Sequence, residues 1–278
     1  MSAATSGRRD VAVVVLAAGH GRRLGPAGGP GPKWLIEVGG APIAEHHLMA
    51  VEQALGPDTD VLVVVGHAAE RVERFCAARA GRSALRPLLV ANSQYVQRNN
   101  WYSLLVGLDA AEDRLGEDQV VVILNSDLFG LPAWFGALLR TAAGLSGVPG
   151  TLAVDVGRPV TEEAMKVAAG PSDAAGRRWC TAIGKVGVDD PVGEYVGLSA
   201  LAPSGRALVR DALRAFTADG ARADAWYEAA FQEISATSPF LALTPTPSSA
   251  WVEIDDAEDL RAAEGLASAS LTPGATAT

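Results

Sequence analysis

Short runs of almost unbroken apolar residues punctuate the first half of the chain, at positions 11–17, 61–65, 88–91 and 120–124. Strands covered on both faces read this way, because neither face can afford a polar side chain. The stretches between them, near 42–55, 68–79 and 101–114, have the patterning of helices, and Pro42 suits a first helical position. Strands alternating with helices imply right-handed crossovers. The expected fold class is therefore α/β: a Rossmann-like, mostly parallel sheet with helices on both faces. Ligands of such sheets bind beyond the carboxyl ends of the strands.

The second half changes character. Strand-like pieces at 151–156, 165–168, 180–186 and 194–201 are separated by Gly, Pro and Asp turns. They suggest a partly antiparallel extension, about 151–240, lying over the cleft and receiving a second substrate. Helices are expected near 204–218 and 222–235, a last strand at 251–255, and an amphipathic closing helix from 257. Residues 1–9 read as a flexible tail, 10–265 as one domain, and 266–278 as a disordered tail of small polar residues.

The first strand ends in Leu16-Ala17-Ala18-Gly19-His20-Gly21-Arg22-Arg23, and Lys33 follows a stretch rich in Gly and Pro. Glycines let backbone N–H groups approach a bulky anion, and Arg23 and Lys33 add fixed positive charge. The combination suits the triphosphate of a nucleotide, with Leu16, Ala17, Ala18, Gly19 and Gly21 forming the floor. Arg22 reads as a solvated surface charge. A dinucleotide-binding turn would need glycine in place of Leu24, and a P-loop would need Gly-Lys-Ser/Thr after four intervening residues.

Net charge is −9, which argues against non-specific nucleic-acid binding. Cys76 and Cys180 have no Cys/His cluster around them, so neither a zinc site nor a disulfide framework is indicated. No apolar run reaches the length of a membrane span, and the amino-terminal segment does not read as a signal peptide. A cytoplasmic protein with no membrane partner is expected. His46 and His47 lack a ligand partner one helical turn on. No Ser/His/Asp or Cys/His arrangement stands out.

Acidic residues carry the second constellation. Asp127, after Ser126 at the tip of a buried strand, suits Mg²⁺ or a helix cap. In Trp251-Val252-Glu253-Ile254-Asp255-Asp256, strand alternation puts Glu253 and Asp255 on one face. Asp255 then joins Asp127 at a metal with Glu253 beside it, while Asp256 caps the next helix. Asn92, Asn99, Asn100 and Ser103 are short polar groups near a strand end and a helix entry, able to bond a ribose or phosphate oxygen or to act as caps. In the extension, Asp155, Lys166, Lys185, Glu194 and Tyr195 are the candidates for acceptor contact. Trp179, Trp226 and Tyr227 are further candidates for an aromatic wall around an ammonium head, or for core packing.

The strand–Leu-Ala-Ala-Gly-x-Gly-x-Arg…Pro-Lys run resembles the signature of nucleotidyltransferases that make sugar nucleotides and CDP-alcohols. The NNWYSL segment, the EEAMKV…IGKVG…GEYVG run and the WVEIDDAEDL ending narrow the resemblance to the CTP-dependent branch, which acts on phosphocholine, 2-aminoethylphosphonate or inositol 1-phosphate. The resemblance implies Lys33 and Arg23 as catalytic cations on the triphosphate, Mg²⁺ on Asp127 and Asp255, and acceptor contacts around Lys166, Glu194 and Tyr195. It implies CTP and a small phosphate or phosphonate as partners. A sugar-1-phosphate transferase using UTP or GTP is the alternative, and a non-catalytic nucleotide-binding regulator is a reading of another class. The sequence leaves a homo-oligomer open.

Overall fold

The structure, a computed structural model, describes residues 11–21, 24, 31–114 and 119–270. Arg22, Arg23 and the two expected tails, apart from residues 266–270, lie outside the described residues. Four parallel strands form the centre of the main sheet in the order β5-β4-β1-β6: Leu88–Ala91, Asp60–Val65, Val11–Ala17 and Val120–Asn125. In β1, Val13, Val15 and Ala17 point into one core and Ala12, Val14 and Leu16 into the other. Strand alternation alone therefore explains why every residue of the run after Val11 is apolar.

Helices cover both cores. On one face, α1 (Ile43–Leu55) and α4 (Pro132–Ala143) pack together, with Ile43, Leu48, Phe135 and Leu139 buried. On the other lie α3 (Asn100–Glu112) and α5 (Pro203–Ala218), which contribute Trp101, Leu104, Leu108, Val209 and Phe216. Helix α3 sits so close to the sheet that a Cβ on Gly107 would lie 2.6 Å from Val14 Cγ1. Helix α2 (Ala69–Arg79) completes the crossover between β4 and β5.

The sheet changes direction after β6. Strand β11 (Gly193–Leu201) pairs antiparallel with β6, and also with β8 (Gly150–Asp155) and β9 (Lys166–Ala169); β10 (Cys180–Gly184) extends β9. This is the partly antiparallel extension. Two short ribbons stand apart from the main sheet: β2 (Glu37–Val38) with β3 (Ala41–Pro42), and β7 (Leu128–Gly130) with β13 (Trp251–Glu253).

Several details differ from the sequence expectation. Strand β12 (Leu241–Thr246) pairs parallel with β8 at the sheet edge; its Pro245 would argue against a strand, but an edge tolerates a missing donor. Helix α4 and strand β7 were outside the expected set. The helix expected at 222–235 is split. A short 3-10 turn, Gly220–Arg222, is held by the Asp219 carboxylate on Ala221 N–H, and α6 proper runs only over Glu228–Ser235. Pro42 precedes the first helical residue of α1 instead of occupying it. Residues 266–270, expected in a disordered tail, finish helix α7 (Ala257–Ser270), whose Ala263 and Ala267 are buried. Small residues there allow close packing. No helix among the described residues is long and apolar enough to cross a membrane.

Candidate active site

Beyond the carboxyl ends of β1 and β6 lies a cavity of about 320 Å³. Its floor includes Leu16, Ala18, Gly19 and Gly21. Gly21 has φ +62°, and a Cβ there would come within 2.9 Å of Lys33 Cγ. Glycine is thus required twice, for its backbone and for the passage of the lysine. Lys33 opens a short 3-10 turn whose Trp34 is fully buried. Trp34 Nε1 donates to His47 Nδ1 at 3.1 Å, and His47 Nε2 donates to the Leu128 carbonyl at 2.6 Å. Burial pushes His47 down to about 4, so a neutral imidazole ties the lysine turn to the strand after Asp127.

Lys33 Nζ donates to Asp127 Oδ2 at 3.0 Å and also to Asp255 Oδ1. Burial opposes the charged ammonium, but the Asp127 and Asp255 carboxylates outweigh it and raise its affinity for the proton. Glu253 stands beside them. Its burial, and then the charges of Asp127 and Asp255, hold its carboxyl well above the usual carboxylate range. Oxygens of Asp127, Glu253 and Asp255 lie within 4.8 Å of one another, and Asp127 Oδ1 is buried with no hydrogen-bond partner. A hard divalent cation takes oxygen ligands of this kind, so the donor set fits one. The helix-cap alternative for Asp127 does not apply, since its carboxylate is turned to Lys33. Asp256 instead caps α7, accepting from Glu258 N–H and Asp259 N–H.

Asn100, Ser103, Ser126, Lys185 and Tyr195 also line the cavity. Asn100 Oδ1 accepts from Tyr227 N–H, and Asn99 Nδ2 donates to the Asp224 carbonyl. The start of α3 is thereby stitched to the segment that carries Trp226 and Glu228, both cavity residues. Tyr227 turns away, its hydroxyl bonding Tyr195 and Asn125. Lys185 lies over the Trp226 ring at 5.0 Å and 3.8 Å from Glu163.

Several expected contacts fall elsewhere. Ala17 is buried in the core. Asn92 is buried and donates to Ser103 Oγ at 2.9 Å, so it supports a lining residue without lining the cavity itself. Lys166 Nζ donates to the carbonyls of Glu162 and Lys185, both at 2.7 Å, which holds the Lys185 segment. Glu194 pairs in register with Asp155 and Lys166 outside the cavity, and burial raises its carboxyl. Asp155, expected to contact the acceptor, is instead enclosed between Trp251, Ser248 and Arg158, because the chain folds over it. Trp179 bonds Asp173.

Sequence reasoning passed over Tyr95, Arg98, Glu163, Met165 and Asn125, which line the cavity, and did not single out Glu228. Glu228 opens α6 directly after Trp226-Tyr227 and ahead of Ala229, Ala230 and Phe231, which is the available signal. Its Oε2 is buried with no hydrogen-bond partner, and burial pushes the carboxyl up to about 7. Loop residues such as Tyr95 carry no such mark. Tyr95 is placed by Gly66, where a Cβ would lie 2.6 Å from its ring.

A glycine-floored turn, a lysine and an acidic triad at the carboxyl edge of a parallel sheet define a nucleotide-handling α/β protein. Residues 13–234 match the MobA-like NTP transferase domain, and the chain belongs to that family. It is 34% identical over 110 residues to the bifunctional IPC transferase and DIPP synthase of Rubrobacter xylanophilus, covering 40% of this chain and 23% of that protein. It is 34% identical over 99 residues to the 2-aminoethylphosphonate cytidylyltransferase of Lancefieldella rimae, covering 36% and 37%. The matches thus span well under half the length of these curated relatives. Among solved structures, the inositol-1-phosphate CTP transferase of T. maritima superposes with a TM-score of 0.68 at 18% identity, over 97% of this chain and 99% of that one. The UDP-glucose pyrophosphorylase of Acinetobacter baumanii gives 0.69 at 13% identity, over 91% of each. The fold is therefore shared across nucleotide preferences and does not choose among them.

Proposed function

We propose that the protein is a Mg²⁺-dependent cytidylyltransferase that moves CMP from CTP to a small phosphorylated or phosphonated acceptor bearing a primary amine. The juxtaposition of Lys33 with Asp127, Glu253 and Asp255 in one cavity carries the transferase reading. The Lancefieldella rimae relative is named a 2-aminoethylphosphonate cytidylyltransferase, which supports CTP. In the reaction, an acceptor phosphoryl or phosphonyl oxygen attacks the α-phosphorus of CTP. The bond from that phosphorus to the α–β bridging oxygen breaks, and pyrophosphate leaves. The attacking oxygen is already ionised near neutral pH, so the site needs no general base. In this reading the glycine floor admits the phosphates, Lys33 offsets their charge, and the cavity-lining Asn100 and Ser103 orient the nucleotide. Asp127, Glu253 and Asp255 would hold the Mg²⁺, which when bound neutralises triphosphate charge.

The acceptor reading rests on Glu228. An unpartnered buried carboxylate oxygen facing a cavity is costly unless a ligand satisfies it. A primary ammonium can donate to it, whereas a quaternary ammonium cannot. In this reading Lys185, which lines the cavity beside Trp226, takes the acceptor's anionic group. The test is pyrophosphate release with Mg²⁺, crossing CTP, UTP, GTP and ATP with 2-aminoethylphosphonate, phosphocholine, inositol 1-phosphate and glucose 1-phosphate. CTP with 2-aminoethylphosphonate or a similar primary amine is expected to be best. Glu228→Gln is expected to raise KM for that acceptor at least 10-fold, with little change for inositol 1-phosphate. Turnover only with glucose 1-phosphate and UTP or GTP would overturn both the nucleotide and the amine.

A further inference from the structure

Strand β13 brings Glu253 and Asp255 to the cavity, yet it is a three-residue strand whose sheet partner is the equally short β7. A two-stranded ribbon of this length has little stability of its own. What grips its amino-terminal end is a polar cluster built from the end of β8. The Asp155 carboxylate is fully enclosed. Its Oδ2 accepts from Trp251 Nε1 at 2.9 Å, and its Oδ1 accepts from Ser248 Oγ at 2.7 Å and Gly157 N–H at 2.8 Å. Arg158 lies 3.3 Å from the same carboxylate. Its guanidinium sits over the Trp251 ring at 4.5 Å and donates to the carbonyls of Trp251, at 2.8 Å, and Ser248. A Cβ on Gly157 would fall 2.3 Å from Ser248 Oγ, so the two segments touch at backbone range.

We infer that Asp155 and Arg158 are positioning residues that clamp Trp251 and thereby hold Glu253 and Asp255 opposite Asp127, setting the affinity of the carboxylate cluster for a divalent cation. The inference rests on the reading of that cluster as a cation site. A planar head that stacks on the indole while its nitrogens reach a carboxylate and two carbonyls suits arginine at this position. A buried carboxylate with four partners holds its neighbours in one arrangement, because losing any partner leaves charge or a donor unsatisfied. Partners one step behind metal ligands typically change metal affinity about 10- to 100-fold when removed.

Mn²⁺ binding to the purified protein, followed by the loss of the free-ion EPR signal, tests this without turnover. Asp255→Asn serves as the control and is expected to abolish binding. Trp251→Phe keeps an aromatic ring but removes the indole donor and part of the buried ring, and Asp155→Asn and Arg158→Met take away the remaining contacts. Each is expected to raise the Mn²⁺ dissociation constant roughly 10-fold, with acceptor KM changed less than about twofold. A merely structural role would lower the melting temperature and leave Mn²⁺ affinity as in the wild type, and that result overturns the clamp. So does a rise in acceptor KM with unchanged Mn²⁺ affinity. Wild-type protein that binds no Mn²⁺, or Asp255→Asn that binds it normally, removes the cation reading itself and the clamp with it.

Discussion

Lys33 holds its ammonium among carboxylates, with its side chain 12% exposed and those of Asp127 and Asp255 at 18% and 24%. Attraction at such partly buried positions is screened less than on the surface, and the same holds for the repulsion left when the lysine is removed. Lys33→Ala is therefore expected to have two effects. Turnover falls by roughly 10²–10³, the range for removing one group that stabilises transition-state charge. In EDTA the melting temperature also falls, and Mg²⁺ restores more of it than in the wild type. Thermal melts with and without Mg²⁺, alongside a pyrophosphate assay, check both. Near-wild-type turnover would remove Lys33 from the chemistry. The candidates around it were legible as residue types, a lysine after a glycine turn and acids at strand tips. Their meeting was not, because Lys33 is separated from Asp127 by 94 positions and from Asp255 by 222.

Among the elements, the parallel strands were the most legible, since burial on both faces leaves only apolar residues. Helix α3 was legible too, but its closeness to β1 was not. Gly107 makes that approach possible, and a Cβ there meets Val14 Cγ1 at 2.6 Å and Val64 Cγ2 at 3.0 Å. Both valines are stiff at χ1 and cannot easily swing away. Gly107→Ala gains up to about 1 kcal/mol of helix propensity but overpacks the core by about 1–3 kcal/mol. The expected net effect is destabilisation, read as a lower urea midpoint with an unchanged m-value. A stabilised variant would mean that α3 can lift from the sheet without cost. The elements that escaped sequence reading are those whose identity depends on a neighbour. Strand β12 is a strand because β8 offers it an edge, and β7 because β13 lies beside it.

For the molecule as a whole, two buried groups pull the pH dependence of stability in opposite directions. Glu228 keeps its proton up to about pH 7 in the native chain, against the usual 4.5. Between those values the native state binds more protons than the unfolded one, so stability falls as pH rises, by about 3 kcal/mol in full. His47, pushed down to about 4 from the usual 6.5, has the opposite sign: the unfolded state binds more protons, and stability falls as pH drops through that window. Urea melts of wild type and Glu228→Gln at pH 7.5 and 4.5 separate the two. Relative to the variant, the wild type is expected to gain about 3 kcal/mol at the lower pH; an unchanged difference would remove burial of Glu228 as a source of instability. The chain's alternating apolar and amphipathic stretches were enough to determine an α/β sheet, its parallel centre and the edge where the cavity lies, because these follow from local periodicity and chain chirality. Only the tertiary structure decided which polar residues face the cavity. It made Asp155, an expected acceptor contact, an enclosed partner of Trp251, and it left one oxygen of Glu228, a cavity residue, buried without a partner. A side chain's charge is written in the sequence, but its solvent and its partners are supplied by segments far away along the chain.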